Sequence, residues 1–393
     1  MIAGHICLDI TPGFDSTAQG GFHHIFWPGK LINVNQATIA TGGAVSNTGL
    51  TMSKLGLDVA LNGKVGDDGF GDMIKKLVGL ELAASFKTVS GQSSSYSVVL
   101  SLPGVDRIFL HHTGTNDTFG PEDIDEKTLA DCAMFHFGYP SLMKRMYQND
   151  GCELVKIFSH AKSLGVATSL DMTLPDPKSD SGKVDWTGIL QKTLPYVDFF
   201  LPSIEEIAYM LDRDLFHQRK LQAGSEDPVL AYTATDCSRL ADKLIAMGTA
   251  VIAIKNGIRG YYLKTANPDR LSKISILDKS RIDVWANREL WAGSYKADKF
   301  GSATGAGDAT IAGFLTAFLR GLSPVESLKV ANTLGWQNVR EVDALSGIED
   351  WQTTLTMAQD KNRTRNPLEI KDPGWVFDNH DLVFYGPADS RNK

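Results

Sequence analysis

Segments with two different hydrophobic periods alternate along this chain. In residues 2–10, Ile6, Leu8 and Ile10 fall at every second position, the period of a strand with one buried face. Residues 45–55 space their apolar side chains as a helix does, residues 59–65 return to the strand period, and residues 72–77 start another helix. The rhythm resumes with strand-like 132–137, helical 153–164 and strand-like 166–171. A short apolar strand, 199–201, leads into a helix at 204–211. A helix at 240–247 leads into the wholly apolar run 250–254. Strands alternating with helices predict a doubly wound α/β core, a mostly parallel sheet flanked by helices.

Two stretches leave that rhythm. Residues 11–39 are rich in glycine, aromatic and β-branched residues. Residues 95–112 alternate through Tyr96, Val98 and Leu100, then Ile108 and Leu110, around a Pro103-Gly104-Val105-Asp106 turn, which predicts a hairpin. Both are expected to form a small antiparallel β lid, leaving residues 1–10, 40–94 and 113–393 as the core. Residues 212–236 and 267–300 read as polar, irregular insertions, and the tail after Lys361 as loosely packed surface.

Composition narrows the function. The 393 residues are 42% hydrophobic and 22% charged, enough for a sizeable core in one large or two ordinary domains. A formal net charge of -7 argues against a nucleic-acid partner, and no apolar run is long enough to span a membrane. The start, Met1-Ile2-Ala3-Gly4-His5, lacks the basic opening and apolar core of a secretory signal, so a cytoplasmic location is expected. Cys7, Cys132, Cys152 and Cys237 are scattered, which predicts reduced packing residues and neither a disulfide framework nor a zinc site.

Candidate chemistry concentrates in Thr304-Gly305-Ala306-Gly307-Asp308, which runs into an apolar helical segment. A glycine-rich turn opening a buried helix points backbone N–H groups at an anion, most plausibly phosphate, and the helix dipole adds to them. A carboxylate there repels that anion. Asp308 makes chemical sense if it takes a proton from a nucleophile attacking the phosphate; otherwise it is a helix cap. Gly42-Gly43-Ala44-Val45-Ser46-Asn47 is a second glycine turn entering a helix, where Asn47 could meet sugar hydroxyls or the turn could be purely structural. Asp9 ends the first strand, the usual place for ligand contacts in an α/β sheet, though a turn-capping role serves as well. Gly257 and Gly260, with Lys255 nearby, form either a nucleotide-side loop or a plain hairpin turn. Gly66, Gly69 and Gly71 miss the dinucleotide spacing, and Asp67 and Asp68 would repel a pyrophosphate, so a turn and helix start are expected. The adjacent pairs His23-His24 and His111-His112 point to opposite faces of a strand and cannot chelate one ion.

Taken in order, these motifs resemble the ribokinase-like carbohydrate kinases, the PfkB family. The resemblance rests on residues 42–47 continuing through Leu55-Gly56 to Gly66-Asp67-Asp68-Gly69-Phe70-Gly71, and on 304–309 with Ala312-Gly313-Phe314. Residues 107–116, Leu201-Pro202-Ser203-Ile204-Glu205-Glu206 and Gly257-x-x-Gly260 lie between, so about residues 1–350 are covered. It implies ATP-dependent phosphorylation of a sugar-like alcohol on an α/β core with a β lid. It implies Asp308 as base, the N–H groups of Gly305, Ala306 and Gly307 as anion hole, and Asp9, Gly42, Gly43, Asn47 and Arg107 at the substrate. Lys255, Gly257, Gly260, Thr304 and Asn332 would lie on the nucleotide side, and Glu206 would organise Mg²⁺. A homodimer paired through the lid is also implied.

The chain departs from the family pattern in three places. Ser302-Ala303-Thr304 stands where Asp-Thr-Thr is usual, which leaves the monovalent cation of some relatives doubtful here. Ser203 replaces the Asn of Asn-x-x-Glu, and Lys255, where Thr is common, would supply positive charge near the phosphates. A catalytically weak sugar-binding or regulatory protein on the same scaffold is the alternative that Ser203 and Ser302 raise, and a nicotinamide dehydrogenase is disfavoured by the missing fingerprint. Arg107 could meet a carboxylate or phosphate of a sugar acid or sugar phosphate or equally pair with a lid carboxylate, so a free hexose, a keto-deoxy sugar acid, a ribose-type sugar and a nucleoside all remain open substrates.

Overall fold

Val251-Ile252-Ala253-Ile254 carries no polar side chain, and in the computed structural model of the chain it lies inside a ten-stranded sheet packed on both faces. The structure describes residues 1–14, 26, 28–102 and 108–392. Ile252 and Ile254 join Phe135, Phe137, Leu170 and Phe200 in one apolar layer. Val251 and Ala253 join Phe199, Leu263 and Leu315 in the other. Successive strand residues face opposite layers, so a parallel strand buried on both sides reads as a continuous apolar run.

In chain order the strands are β1 (Ile2–Gly4), β2 (Cys7–Gly13), β3 (Asn35–Gly42), β4 (Leu61–Asn62), β5 (Lys64–Gly66), β6 (Lys87–Val89), β7 (Tyr96–Leu100) and β8 (Ile108–His112). They continue with β9 (Met134–Gly138), β10 (Ala167–Asp171), β11 (Phe199–Phe200), β12 (Val251–Lys255), β13 (Tyr261–Thr265), β14 (Glu289–Ala292), β15 (Val376–Asp378) and β16 (Val383–Tyr385). The large sheet has the order β15-β16-β14-β13-β12-β11-β10-β9-β1-β4. From β4 to β12 neighbours run parallel; from β12 to β15 they run antiparallel. A four-stranded sheet, β3-β2-β7-β8, stands apart from it. Its outer pairs are antiparallel, as expected for residues 95–112, and its central β2–β7 seam is parallel. The 103–106 turn of that hairpin lies outside the described residues. Asp68 caps the Gly69–Val78 helix by accepting from the Gly71 N–H at 2.8 Å, as the turn reading of that segment anticipates.

Four expectations change. The strand read across residues 2–10 is two strands in different sheets, β1 in the large one and β2 in the small one. The alternation of Ile6, Leu8 and Ile10 continues across the switch, so periodicity alone cannot reveal it. Asp9 therefore rides in the small sheet and does not end a core strand. Residues 212–236 contain the Arg213–Ala223 helix and the start of the Ala234–Ala246 helix. Residues 267–300 hold the buried strand β14, and the tail beyond Lys361 supplies β15 and β16, so neither is an irregular addition. These strands are too short to show a period, and β14 opens on a charge pair that disguises it.

That charge pair is satisfied internally. Arg288 Nε donates to Asp389 Oδ2 at 3.0 Å, and the same oxygen accepts the Glu289 N–H at 2.8 Å. The Glu289 carboxylate accepts from Ser238, Tyr262 and the Ala388 N–H. Asp389 is fully buried, and removing one partner of such a pair strands the other. Asp389→Ala is expected to cost about 3 kcal/mol or more in urea unfolding; a loss under about 1 kcal/mol, the scale of an exposed ion pair, would show that the tail does not close the sheet edge.

Candidate functional site

The 304–308 turn ends in the first residues of the helix Ala306–Leu319. Gly305 has φ +74°, and a Cβ there would lie 2.5 Å from Ala344 Cβ, so this position needs glycine twice over. The Ala306 N–H is spent on Ala303 O at 3.2 Å. The N–H groups of Gly305, Gly307 and Asp308 find no acceptor among the described residues. Free amides at the positive end of a 14-residue helix can receive an anion. The Lys255 side chain passes over it: its Nζ would be 3.8 Å from a Cβ built on Gly307.

Asp308 is 2% exposed and bound on both oxygens. Oδ2 accepts from Tyr139 OH at 2.7 Å and Asn47 Nδ2 at 3.0 Å, and Oδ1 accepts from Thr48 Oγ1 at 3.3 Å. Burial pushes its carboxyl above the ordinary aspartate range, while the Tyr139 and Asn47 hydrogen bonds and the Lys255 ammonium oppose that shift. Asn47 and Thr48 come from the helix Ala44–Lys54, whose entry is capped by Gly43.

Four adjacent strands of the large sheet deliver the neighbours. The chain leaving β9 places Tyr139, β10 ends on Asp171, the helix after β11 carries Glu206, and β12 ends on Lys255. Lys255 Nζ lies 2.5 Å from Asp171 Oδ1. Burial alone would lower the lysine, but attraction from Asp171 and Glu206 outweighs it and holds the ammonium above its usual value. Burial raises the Glu206 carboxyl, against the pull of Lys255. Glu206 Oε2 accepts the Ser203 N–H at 2.7 Å, and Ser203 Oγ accepts the Glu206 N–H at 3.3 Å, a capping box on the helix Ile204–Leu211. Glu206 Oε1 has no hydrogen-bond partner among the described residues.

Beside this group a cleft of about 620 Å³ opens between the small sheet and residues 300–304 and 342–344. Asp9, Thr38, Thr41, Asn47, Ser101 and Thr304 line it. Asp9 lies against Gly42, where a Cβ would come within 2.2 Å of its Oδ2, so glycine leaves room for the carboxylate. Burial raises the Asp9 carboxyl, opposed by hydrogen bonds from Cys7 and Ser97. Asp308 therefore reaches the cleft through Asn47, which lines it and donates to the carboxylate.

The other sequence candidates fall in two places. Thr304 lies on the cleft side, its N–H donating to Ser302 Oγ at 3.0 Å. Gly257 and Gly260 flank a single helical turn after β12, and Gly260 packs against Ala292 O. Asn332 Nδ2 donates to that same oxygen at 3.0 Å, so Gly260 and Asn332 meet at the end of β14. Arg107 and the His23-His24 pair lie outside the described residues. His111 is wedged between Ser97 at 3.0 Å and His5 at 3.3 Å, and burial pushes His5 down to about 3, a neutral packing group.

Tyr139, Thr48 and Asp171 escaped the sequence reading. Asp171 carried the same signal as Asp9, a carboxylate at a strand end. Tyr139 carried none: it reaches Asp308 from a left-handed backbone, φ +67°, unusual for an aromatic residue before proline.

The fold agrees with comparisons to known proteins. The model of the family described as pfkB family carbohydrate kinase matches residues 17–351. An uncharacterized sugar kinase of Archaeoglobus fulgidus is 23% identical over 299 residues, 76% of this chain and 97% of that protein. The structure of Arabidopsis thaliana ribokinase complexed with ribose and ATP superposes with a TM-score of 0.66 at 16% identity, covering 91% of this chain and 98% of that one. Fructokinase with bound ATP from Xylella fastidiosa gives a TM-score of 0.65 at 17% identity with the same coverage. Among the described residues, no helix is long and apolar enough to cross a membrane.

Asp308 also has a measurable effect on stability. A carboxyl that binds its proton more tightly folded than unfolded opposes folding once pH rises past its unfolded value, about 4. The stability of Asp308→Asn relative to the parent should therefore improve between about pH 4 and the raised folded value, then level off. Urea titrations at a series of pH values read this out, and a pH-independent difference would show that burial has not raised the proton affinity.

Proposed function

Because the chain belongs to the pfkB family of carbohydrate kinases, and so is a phosphotransferase with an alcohol acceptor, we propose that it moves the γ-phosphoryl group of ATP to a hydroxyl of a sugar-sized substrate in the Asp9–Asn47 cleft. A carboxylate of raised proton affinity sharing one helical turn with unpaired amides supports this above all. Asp308 accepts the proton of the attacking hydroxyl, and Oδ1, with only a 3.3 Å contact from Thr48, has room for that hydrogen bond. The amides of Gly305 and Gly307, with that of Asp308, meet charge developing on the phosphoryl oxygens. Lys255, drawn between Asp171 and the Gly307 turn, adds a fixed positive charge.

Asp9 and Asn47 orient the substrate's hydroxyls from the cleft wall. Mg²⁺, when bound, neutralises phosphate charge. Glu206 fits such an ion, because one of its oxygens is uncommitted and a hard cation of this kind keeps most of its waters. The small sheet closes the cleft against water, which would otherwise take the phosphoryl group. Ile39 and Leu110, exposed on that sheet, support pairing of two copies through it.

Release of ADP over a panel of sugars, sugar acids and nucleosides, with and without K⁺, tests the activity. Ligand-induced thermal stabilisation without ADP release would favour a sugar-binding protein instead. In an active pairing, Asp308→Asn should lower kcat roughly a hundredfold or more with little change in the KM for ATP. Near-normal turnover would remove the base assignment. Tyr139→Phe takes away a hydrogen bond that favours the ionised Asp308, so the acid limb of kcat should move to higher pH. An unmoved limb would mean that another group titrates there.

A further inference from the structure

A second cavity, about 420 Å³, lies at the start of the helix Pro324–Val339, walled by that helix, by the helix Trp351–Gln359 and by tail residues 380–391. Its cations are Arg288, Lys329, Lys361 and Arg391, gathered in a chain whose formal net charge is -7. Both carboxylates in its wall already accept hydrogen bonds, Asp381 from one of those cations. Glu326 Oε2 accepts the N–H and hydroxyl of Ser323, closing a capping box on the helix. Asp381 Oδ2 accepts from Tyr385 OH at 2.5 Å and Arg391 Nη1 at 3.2 Å.

Two of the cations have donors left uncommitted. Arg288 is 4% exposed; its Nε is held by Asp389 and its Nη1 by Val284 O, but Nη2 is buried without any hydrogen-bond partner. A buried guanidinium N–H group left unpaired is costly, so an arriving acceptor would be favoured there. The Lys329 ammonium makes no hydrogen bond or ion pair among the described residues. Burial and then the repulsion of Arg365 lower its proton affinity, with Lys361 adding to that and Asp381 and Glu326 opposing it.

We propose that this cavity binds a phosphate-bearing small molecule, at a site separate from the Asp9–Asn47 cleft. Several converging cationic donors suit the many acceptor oxygens of a phosphate, and the volume suits a sugar phosphate or a nucleotide. The two sites share no lining residue. They sit at opposite ends of the 16-residue Pro324–Val339 helix, roughly 24 Å long at 1.5 Å per residue. Lys361, His380, Asp381 and Arg391 all lie beyond residue 351, where the family match ends.

Calorimetric titration of the full chain with inorganic pyrophosphate, AMP and glucose 6-phosphate tests the site. The doubly substituted Lys329→Gln, Lys361→Gln protein should bind pyrophosphate at least about tenfold more weakly than the parent, the scale of losing charge-assisted contacts. Its ligand-free melting temperature should equal or exceed the parent's, because two mutually repelling cations are gone. A parallel loss for AMP identifies a nucleotide as the source of the phosphate, and one for glucose 6-phosphate identifies a sugar phosphate. Pyrophosphate affinity that survives the double substitution, or a loss shared by neither AMP nor glucose 6-phosphate, would overturn the proposal. Melting below the parent would equally show that the lysines were paired, not waiting for an anion.

Discussion

One ammonium among three buried carboxylates is the constraint on which the site depends. Lys255 is drawn to Asp171, Glu206 and Asp308 together, in a region where water is too scarce to screen them. Burial raises the proton affinity of all three acids, and Lys255 opposes that rise at each of them. Lys255 also lies over the unpaired amides of the Gly307 turn. The charge that opposes protonation of the acids is thus also a charge close to the unpaired amides.

The sheet makes this arrangement possible. β9, β10, β11 and β12 are consecutive neighbours running the same way, so their ends lie side by side, and each contributes one member of the group. Both faces of these strands are buried, which fixes their register; the polar side chains within them, such as His136 and Ser169, bond to each other, and the strand ends carry the charged groups. The helix Ala306–Leu319 approaches from outside the sheet and brings Asp308 to the same edge, where the Ala44–Lys54 helix supplies Asn47 and Thr48.

Much of this could be read from the residues alone. The α/β alternation, the two glycine turns and the hairpin at 95–112 appear in the structure because each has a strong local cause: a buried face, a turn needing no Cβ, a strand pair joined by proline and glycine. Lys255, Gly307 and Asp308 lie around one helix start. What stayed hidden depends on contacts distant in sequence. Tyr139 reaches Asp308 from 169 residues away through an unusual backbone angle. β14 hid behind Arg288 and Glu289, whose partners lie about a hundred residues on. The division of residues 2–10 between two sheets leaves the alternation unbroken, so no local signal could mark it.

The late arrival of Asp389 bears on how the chain is made. β14 takes its outer neighbour from β16, and its leading arginine takes its counter-ion from a residue 101 positions downstream. While the ribosome is still synthesising that interval, the nascent sheet presents an open edge and an uncompensated buried cation. Cotranslational folding can therefore assemble the strands that hold the reactive group, yet the last seam of the sheet is sealed only after residue 389 has emerged from the exit tunnel.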